Sequence, residues 1–124
     1  MANILVVEDN DDVREMMAVT LELEGHRVRT AVNGRDALEQ LRVGEKPCVI
    51  LLDLMMPVMN GWEFRRALEH DPSLADVPVV VISAATGEIV KNTRADAFIP
   101  KPIDMDRLLD VVCEFCDGGC EDSR

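Results

Sequence analysis

The sequence alternates between short runs of β-branched and aliphatic residues and longer stretches whose apolar residues recur at helical spacing. The runs at 4–7 and 48–52 are continuous, which is typical of strands that are buried on both faces. Such runs predict five strands, at residues 4–7, 27–31, 48–52, 77–82 and 97–99. Because strands that alternate with helices form parallel sheets covered on both faces, the pattern predicts an α/β domain with a doubly wound sheet.

Five helical stretches connect and follow the predicted strands. The first has apolar residues at helical spacing, with Asn10 or Asp11 as its N-cap and Gly25 at its end. Others are predicted after residues 33–34, around 64–68, in a weak and short segment near 88–94, and after residue 102. On the last of these helices, one side carries Met105, Leu108, Leu109, Val112 and Cys116.

The length of 124 residues is enough for one domain, which we expect to span residues 1–117, followed by a flexible polar tail at 118–124. The chain has 24 acidic and 13 basic residues, and its net charge of −11 argues against direct binding to nucleic acid or anionic lipid. Its apolar runs are too short for a membrane-spanning helix, so no membrane insertion is expected. The first residues lack the features of a signal peptide, which favours a cytoplasmic protein.

The four cysteines are expected to be free thiols, because disulfides are rare in the cytoplasm. The spacing of Cys113, Cys116 and Cys120 resembles that of metal ligands, but no fourth ligand lies near them in the sequence. Cys116 shares one side of the last predicted helix with apolar residues, where a thiol packs as a small hydrophobic group. Packing is therefore favoured over zinc binding or redox chemistry for these cysteines.

Chemically reactive side chains follow four of the five predicted strands. Glu8 and Asp9 follow the first strand, and Asp53 follows the third. Ser83 follows the fourth strand and Lys101 the fifth. Because ligands of a doubly wound sheet bind beyond the carboxyl ends of its strands, these side chains are predicted to share one crevice.

Three carboxylates in one crevice repel one another unless their pKa values are raised, or a neighbouring cation or a divalent metal balances their charge. The ligands are all oxygen atoms, which favours Mg²⁺, or Mn²⁺ in its place, over zinc or copper. Together with the hydroxyl of Ser83 and the ammonium of Lys101, this set suits phosphoryl transfer. The metal and the lysine would neutralise phosphoryl oxygens while Asp53 attacks in line.

Four segments at these positions resemble the motifs of response regulator receiver domains of two-component signalling. They are Ile-Leu-Val-Val-Glu-Asp-Asn at 4–10, Asp-Leu-Met-Met-Pro-Val-Met-Asn-Gly at 53–61, Val-Ile-Ser-Ala at 81–84 and Phe-Ile-Pro-Lys-Pro at 98–102. Each motif alone is a weak signal, but the four occur in order on the expected elements. The chain ends soon after the last predicted helix, so we expect a stand-alone receiver of the chemotaxis type without an output domain.

The resemblance implies a metal site and a phosphoacceptor. Asp53 would accept the phosphoryl group. Asp9 and Asp53 would bind Mg²⁺ directly, joined by the backbone carbonyl of Met55, and Glu8 would hold the metal through water.

The resemblance also implies a switch. Ser83 would donate a hydrogen bond to the phosphoryl group, and Lys101 would pair with it. Ser83 and Phe98 would form the switch pair, in which the hydroxyl moves toward the phosphoryl group and the aromatic ring turns inward behind it.

The implied fold is a flavodoxin-like sheet with strand order 2-1-3-4-5. The implied phosphoryl donor is a phosphohistidine on a histidine kinase or a phosphotransfer protein, and the output protein is unknown. Such a chain catalyses its own phosphorylation and slow dephosphorylation, and is not a conventional turnover enzyme.

The sequence departs from the family pattern between Ser83 and Phe98. This segment is about four residues, or one helical turn, shorter than is usual, and Arg94 stands where a glycine is common. The fourth helix is therefore expected to be shortened. Since the family commonly docks partners on this helix and its neighbours, the standard output surface is not expected to carry over.

Three other functions are compatible with parts of the pattern. Phosphatases with an aspartyl nucleophile usually carry a second Asp two residues later, where this chain has Met55. A flavodoxin-type carrier of FMN needs a phosphate loop after the first strand, whereas residues 8–12 here are mostly acidic. A receiver-like module that binds its partners without phosphorylation remains the more serious alternative, because of the shortened segment.

Overall fold

The computed structural model describes residues 3–53, 61–84 and 95–116. Five described segments are strands: β1 (Asn3–Val7), β2 (Arg27–Ala31), β3 (Val49–Asp53), β4 (Val79–Ser83) and β5 (Ala97–Pro100). They form one parallel sheet in the order β2-β1-β3-β4-β5, which confirms the predicted topology. All five predicted strands are present. Asp53 and Ser83 are the last residues of their strands, whereas the sequence placed them just beyond.

The described residues include four helices: α1 (Asp11–Leu23), α2 (Gly34–Val43), α3 (Gly61–Glu69) and α4 (Met105–Phe115). Asn10 is the N-cap of α1, and its side chain accepts a hydrogen bond of 3.0 Å from the backbone N–H of Val13. The predicted end of this helix is confirmed, because Gly25 has a φ of 92°, which glycine adopts readily. The helix predicted near 88–94, and with it the expected shortening, lies outside the described residues. None of the four helices is long and apolar enough to span a bilayer.

Side chains of the central strands alternate between the two faces of the sheet. Leu5 and Leu52 pack with α2 and α3, whereas Ile4 and Leu51 pack with α1 and α4. All four of these side chains are fully buried, each contributing about 1.5–3 kcal/mol relative to an exposed position. Burial on both faces explains the continuous apolar runs of β1 and β3, and it leaves the strand ends as the place for polar chemistry.

Phe64 is the largest fully buried side chain on the face of the sheet that α3 covers. We expect Phe64→Ala to lower the free energy of unfolding by about 3–5 kcal/mol, because it removes buried apolar surface and leaves a cavity. Denaturant unfolding measures this effect, with Arg66→Ala on the exposed side of the same helix as the control. A loss no larger than that of the control, about 0.5 kcal/mol, would contradict the assigned packing of α3.

The prediction that the cysteines are free thiols is wrong for the described residues. Cys48 and Cys116 form a disulfide, with their Cα atoms 5.5 Å apart and a sequence separation of 68. Cys113 is also disulfide-bonded. The end of α4 lies beside the start of β3, which brings Cys48 and Cys116 within bridging distance. A separation of this length carries no local signal, so only the tertiary fold reveals the pair.

Candidate functional site

The parallel register brings four of the predicted site residues to one edge of the sheet. Val7, the residue before Glu8, lies opposite Leu52, the residue before Asp53. Asp53 lies opposite Ile82, the residue before Ser83. Glu8, Asp53, Ser83 and Lys101 therefore lie at the carboxyl ends of adjacent strands, where doubly wound sheets bind ligands.

Three carboxylates form an acidic cluster at this edge. One carboxylate oxygen from each of Glu8, Asp9 and Asp53 lies within 4.8 Å of the other two. Glu8 and Asp53 are buried, being 1% and 4% exposed, while Asp9 is exposed. The cluster therefore combines two carboxylates held by the protein interior with one that faces solvent.

Lys101 places a positive charge against the buried part of the acidic cluster. Its Nζ lies 3.3 Å from Oε1 of Glu8 and 3.6 Å from Oδ2 of Asp53. Its backbone N–H donates a hydrogen bond of 3.1 Å to the carbonyl oxygen of Ser83. This bond holds the backbone of Lys101 beside the end of β4. The ammonium is thus shared between two carboxylates and is 28% exposed, within reach of a ligand that enters from solvent.

The charges and the donor atoms of the acidic cluster fit a divalent metal ion. One ammonium offsets only one of three carboxylates, so these four side chains together retain an excess of negative charge that a divalent cation balances. The ligand atoms are carboxylate oxygens, which are hard donors of the kind that Mg²⁺ prefers. The cluster is therefore compatible with Mg²⁺.

The loop between β1 and α1 is held in place by hydrogen bonds that the sequence did not predict. Oε2 of Glu8 accepts a bond of 3.1 Å from the backbone N–H of Asn10. Nη1 of Arg14 donates a bond of 2.9 Å to the carbonyl oxygen of Glu8, and the same guanidinium pairs with Asp11. Arg14 thus joins the first turn of α1 to the acidic loop. The one available signal was a single basic residue two positions after the mostly acidic segment 8–12.

The two residues of the predicted switch pair, Ser83 and Phe98, lie on β4 and β5. Ser83 is 1% exposed at the end of β4. Phe98 lies in β5 opposite Val81, is partly buried, and packs against the core on the α2 and α3 side. Ser83 and Phe98 are thus on neighbouring strands. Met55, whose backbone carbonyl the sequence assigned to the metal, lies outside the described residues.

Residues 4–113 match the response regulator receiver domain family. Protein PilH of Pseudomonas aeruginosa is 34% identical over 116 residues, which are 90% of this chain and 95% of that protein. The phosphate regulon transcriptional regulatory protein PhoB of the same organism is 38% identical over 103 residues, which are 80% of this chain and 44% of PhoB. The chain thus spans almost all of PilH and about half of the transcriptional regulator.

Solved structures of similar proteins have the same fold. The chemotaxis protein CheY4 of Vibrio cholerae superposes with a TM-score of 0.86 at 30% identity, over 93% of this chain and 98% of that one. The receiver domain of a signal transduction histidine kinase from Syntrophus aciditrophicus gives 0.86 at 30% identity, over 95% of this chain and 92% of that one. These likenesses favour a receiver over the phosphatase and flavin-carrier alternatives.

Proposed function

The chain belongs to the response regulator receiver family, and we propose that Asp53 is the residue on which it accepts a phosphoryl group. The observation that carries this proposal is the position of Lys101 Nζ, within 3.6 Å of both Glu8 and Asp53 carboxylate oxygens. Asp53 ends a central strand, so its carboxylate is held on a rigid element next to a cation. Such an arrangement favours transfer of an anionic group to that carboxylate.

In the proposed reaction, a carboxylate oxygen of Asp53 attacks the phosphorus of a phosphohistidine. The new phosphorus–oxygen bond forms as the phosphorus–nitrogen bond breaks, and the histidine nitrogen leaves with the electron pair. Lys101 pairs with a phosphoryl oxygen, and the hydroxyl of Ser83 donates a hydrogen bond to another. Both groups stabilise negative charge that Asp53 and Glu8 would otherwise repel.

The proposed metal is Mg²⁺, and Mn²⁺ would bind in its place. Asp9 and Asp53 would hold it directly with the backbone carbonyl of Met55, and Glu8 would hold it through water. When bound, the metal supplies charge neutralisation at the phosphoryl oxygens. Its binding is supported by the three carboxylates of the acidic cluster and by the repulsion among them that a divalent cation relieves.

The proposed output is a change in partner binding that depends on phosphorylation. Ser83 would move toward the phosphoryl group, and Phe98 would turn further into the core behind it. This proposal is supported by the adjacency of β4 and β5 and by the partial burial of Phe98, which leaves the ring room to become more buried. Phe98 has no hydroxyl, so its two positions would differ mainly in packing.

The proposed donor is a histidine kinase or a phosphotransfer protein, and the proposed compartment is the cytoplasm. The proposed output partner is a protein of unknown identity, without direct contact to nucleic acid. The acidic balance of the chain, with a net charge of −11, supports a protein partner.

Intact mass spectrometry after incubation with acetyl phosphate tests the proposed function. We expect the chain to gain the mass of one phosphoryl group in the presence of Mg²⁺ and to gain none when the metal is chelated. Some receivers reject small donors, so a phosphohistidine-containing phosphotransfer protein is used in parallel. The absence of a gain with either donor would contradict the proposal and would favour the module that works without phosphorylation.

Replacing Lys101 tests the cation at the site. We expect Lys101→Met to slow phosphoryl uptake by about 100-fold, since it removes a charge-stabilising donor placed against the reacting carboxylate. A time course of phosphoryl gain by mass measures the effect. Lys46→Met is the matched control, because Lys46 is an exposed lysine that pairs with Asp76 away from the site. Equal rates in the two variants would show that Lys101 has no part in the transfer.

A further inference from the structure

The Cys48–Cys116 disulfide closes a loop that contains most of the proposed phosphorylation site. Asp53, Ser83 and Lys101 all lie between the two cysteines in sequence. Cys48 lies just before β3, and its backbone N–H donates a hydrogen bond of 2.8 Å to the carbonyl oxygen of Asn3. The bond is therefore at the amino-terminal end of the strands, opposite the acidic cluster.

The bond joins this end of the sheet to the last turn of α4. Cys116 is the C-cap of α4, is 2% exposed, and donates its backbone N–H to the carbonyl oxygen of Val112 at 3.0 Å. The body of the helix is held separately, because Leu108, Val111 and Val112 are buried against the sheet. Breaking the Cys48–Cys116 disulfide would therefore remove a covalent anchor of the last turn and leave the body of the helix packed.

We propose that Cys48 and Cys116 form a reversible redox tether that controls the order of the last turn of α4. This inference rests on the cytoplasmic location in the proposed function, because disulfides of cytoplasmic proteins are mostly transient or redox-sensing. It does not depend on phosphorylation of Asp53. Cys48 is partly exposed while Cys116 is buried, so we expect a reductant to attack the disulfide from the side of Cys48.

The reductant is a dithiol, such as a protein of the thioredoxin class. One of its thiolates attacks Sγ of Cys48, and Cys116 leaves as a thiolate that takes up a proton. The second thiol of the reductant then loses its proton and attacks the mixed disulfide, which releases Cys48 as a thiolate that is protonated in turn. Two electrons and two protons pass to the cysteine pair, and the dithiol becomes a disulfide.

Helix α4 runs between the disulfide and the proposed phosphorylation site. Asp104 caps the first turn of α4 with its side chain, which accepts from the backbone N–H groups of Asp106 and Arg107. Lys101 lies three residues before this cap. One helix therefore connects the disulfide at one end of the sheet to the lysine at the other.

The double variant Cys113→Ser, Cys120→Ser isolates the proposed tether, because it leaves Cys48 and Cys116 as the two remaining cysteines of the chain. Backbone hydrogen exchange is measured on this chain when oxidised, after reduction by thioredoxin, and after reoxidation with oxidised glutathione. We expect the amides of residues 113–116 to exchange at least about tenfold faster after reduction and to recover on reoxidation. Amides of β1 and β3 should keep their rates.

Adding a third substitution, Cys48→Ser, provides the control. In this triple variant the amides of residues 113–116 should exchange fast under both oxidising and reducing conditions. Failure of thioredoxin to reduce the folded double variant would overturn the proposal, as would unchanged exchange at 113–116. Faster exchange across every strand would also overturn it, because the bond would then support the whole fold and not one helix end. Phosphoryl gain by mass is measured separately in both redox states, so loss of the phosphorylation chemistry is distinguished from loss of the tether.

Discussion

Asp53→Asn is expected to reduce phosphoryl uptake to background. The substitution keeps the size and shape of the side chain but replaces a charged oxygen nucleophile with a neutral amide. Asp53 is 4% exposed at the end of β3, so the fold should tolerate an isosteric change better than a truncation. The time course of phosphoryl gain by intact mass, with Mg²⁺ and acetyl phosphate, measures the loss.

The matched control for this variant is Asp76→Asn, the same substitution at an exposed position. Asp76 pairs with Lys46 at 2.7 Å, and this hydrogen bond and charge lower the pKa of its carboxyl. Because the pair is away from the acidic cluster, uptake should match that of the unmodified chain. Residual uptake by Asp53→Asn at more than a small fraction of this rate would place the phosphoacceptor elsewhere.

Asp9→Ala is expected to slow phosphoryl uptake by at least about 100-fold at a fixed Mg²⁺ concentration. A metal ion at a phosphoryl group contributes several kcal/mol of charge stabilisation, and Asp9 supplies one of three carboxylates of the acidic cluster. Asp9 is exposed, so its removal should cost little stability. The variant therefore separates loss of the metal from loss of the fold.

Two measurements test the role of Asp9. Isothermal titration calorimetry should show that Mg²⁺ binds more weakly to the variant, and phosphoryl uptake should recover partly as the Mg²⁺ concentration rises. Asp12→Ala provides the control, because Asp12 is an exposed acid on α1 just beyond the acidic cluster. Unchanged Mg²⁺ affinity in Asp9→Ala would contradict the metal assignment.

The fold was predictable from the sequence because both faces of the sheet are covered. Burial on both faces requires the continuous apolar runs of β1 and β3, and the alternation of such runs with helical stretches indicates a parallel sheet. The predicted ends of the strands were less accurate. Asp53 and Ser83 end strands because their backbones still pair with β4 and β5, a fact that side-chain polarity does not reveal.

The sequence predicted the reactive side chains of the candidate site, but it did not predict the contacts that hold the surrounding structure in place. Strand ends converge in any doubly wound sheet, so the meeting of Glu8, Asp53 and Lys101 followed from topology. Arg14 was missed because its bond to the Glu8 carbonyl depends on how the first turn of α1 folds back. Cys48 and Cys116 were missed because their sequence separation is 68 and only the packing of α4 makes them neighbours.

Chemical localisation of the phosphoryl group tests the central claim most directly. An aspartyl phosphate is an acyl phosphate, so borohydride reduces that side chain to an alcohol, which peptide mass spectrometry then assigns to a residue. We predict that the phosphorylated chain is reduced at Asp53 alone, and that no residue is reduced when Mg²⁺ is withheld. Reduction at another acid, such as Asp9, or phosphorylation without any reducible aspartate, would contradict the assignment of Asp53 as the phosphoacceptor.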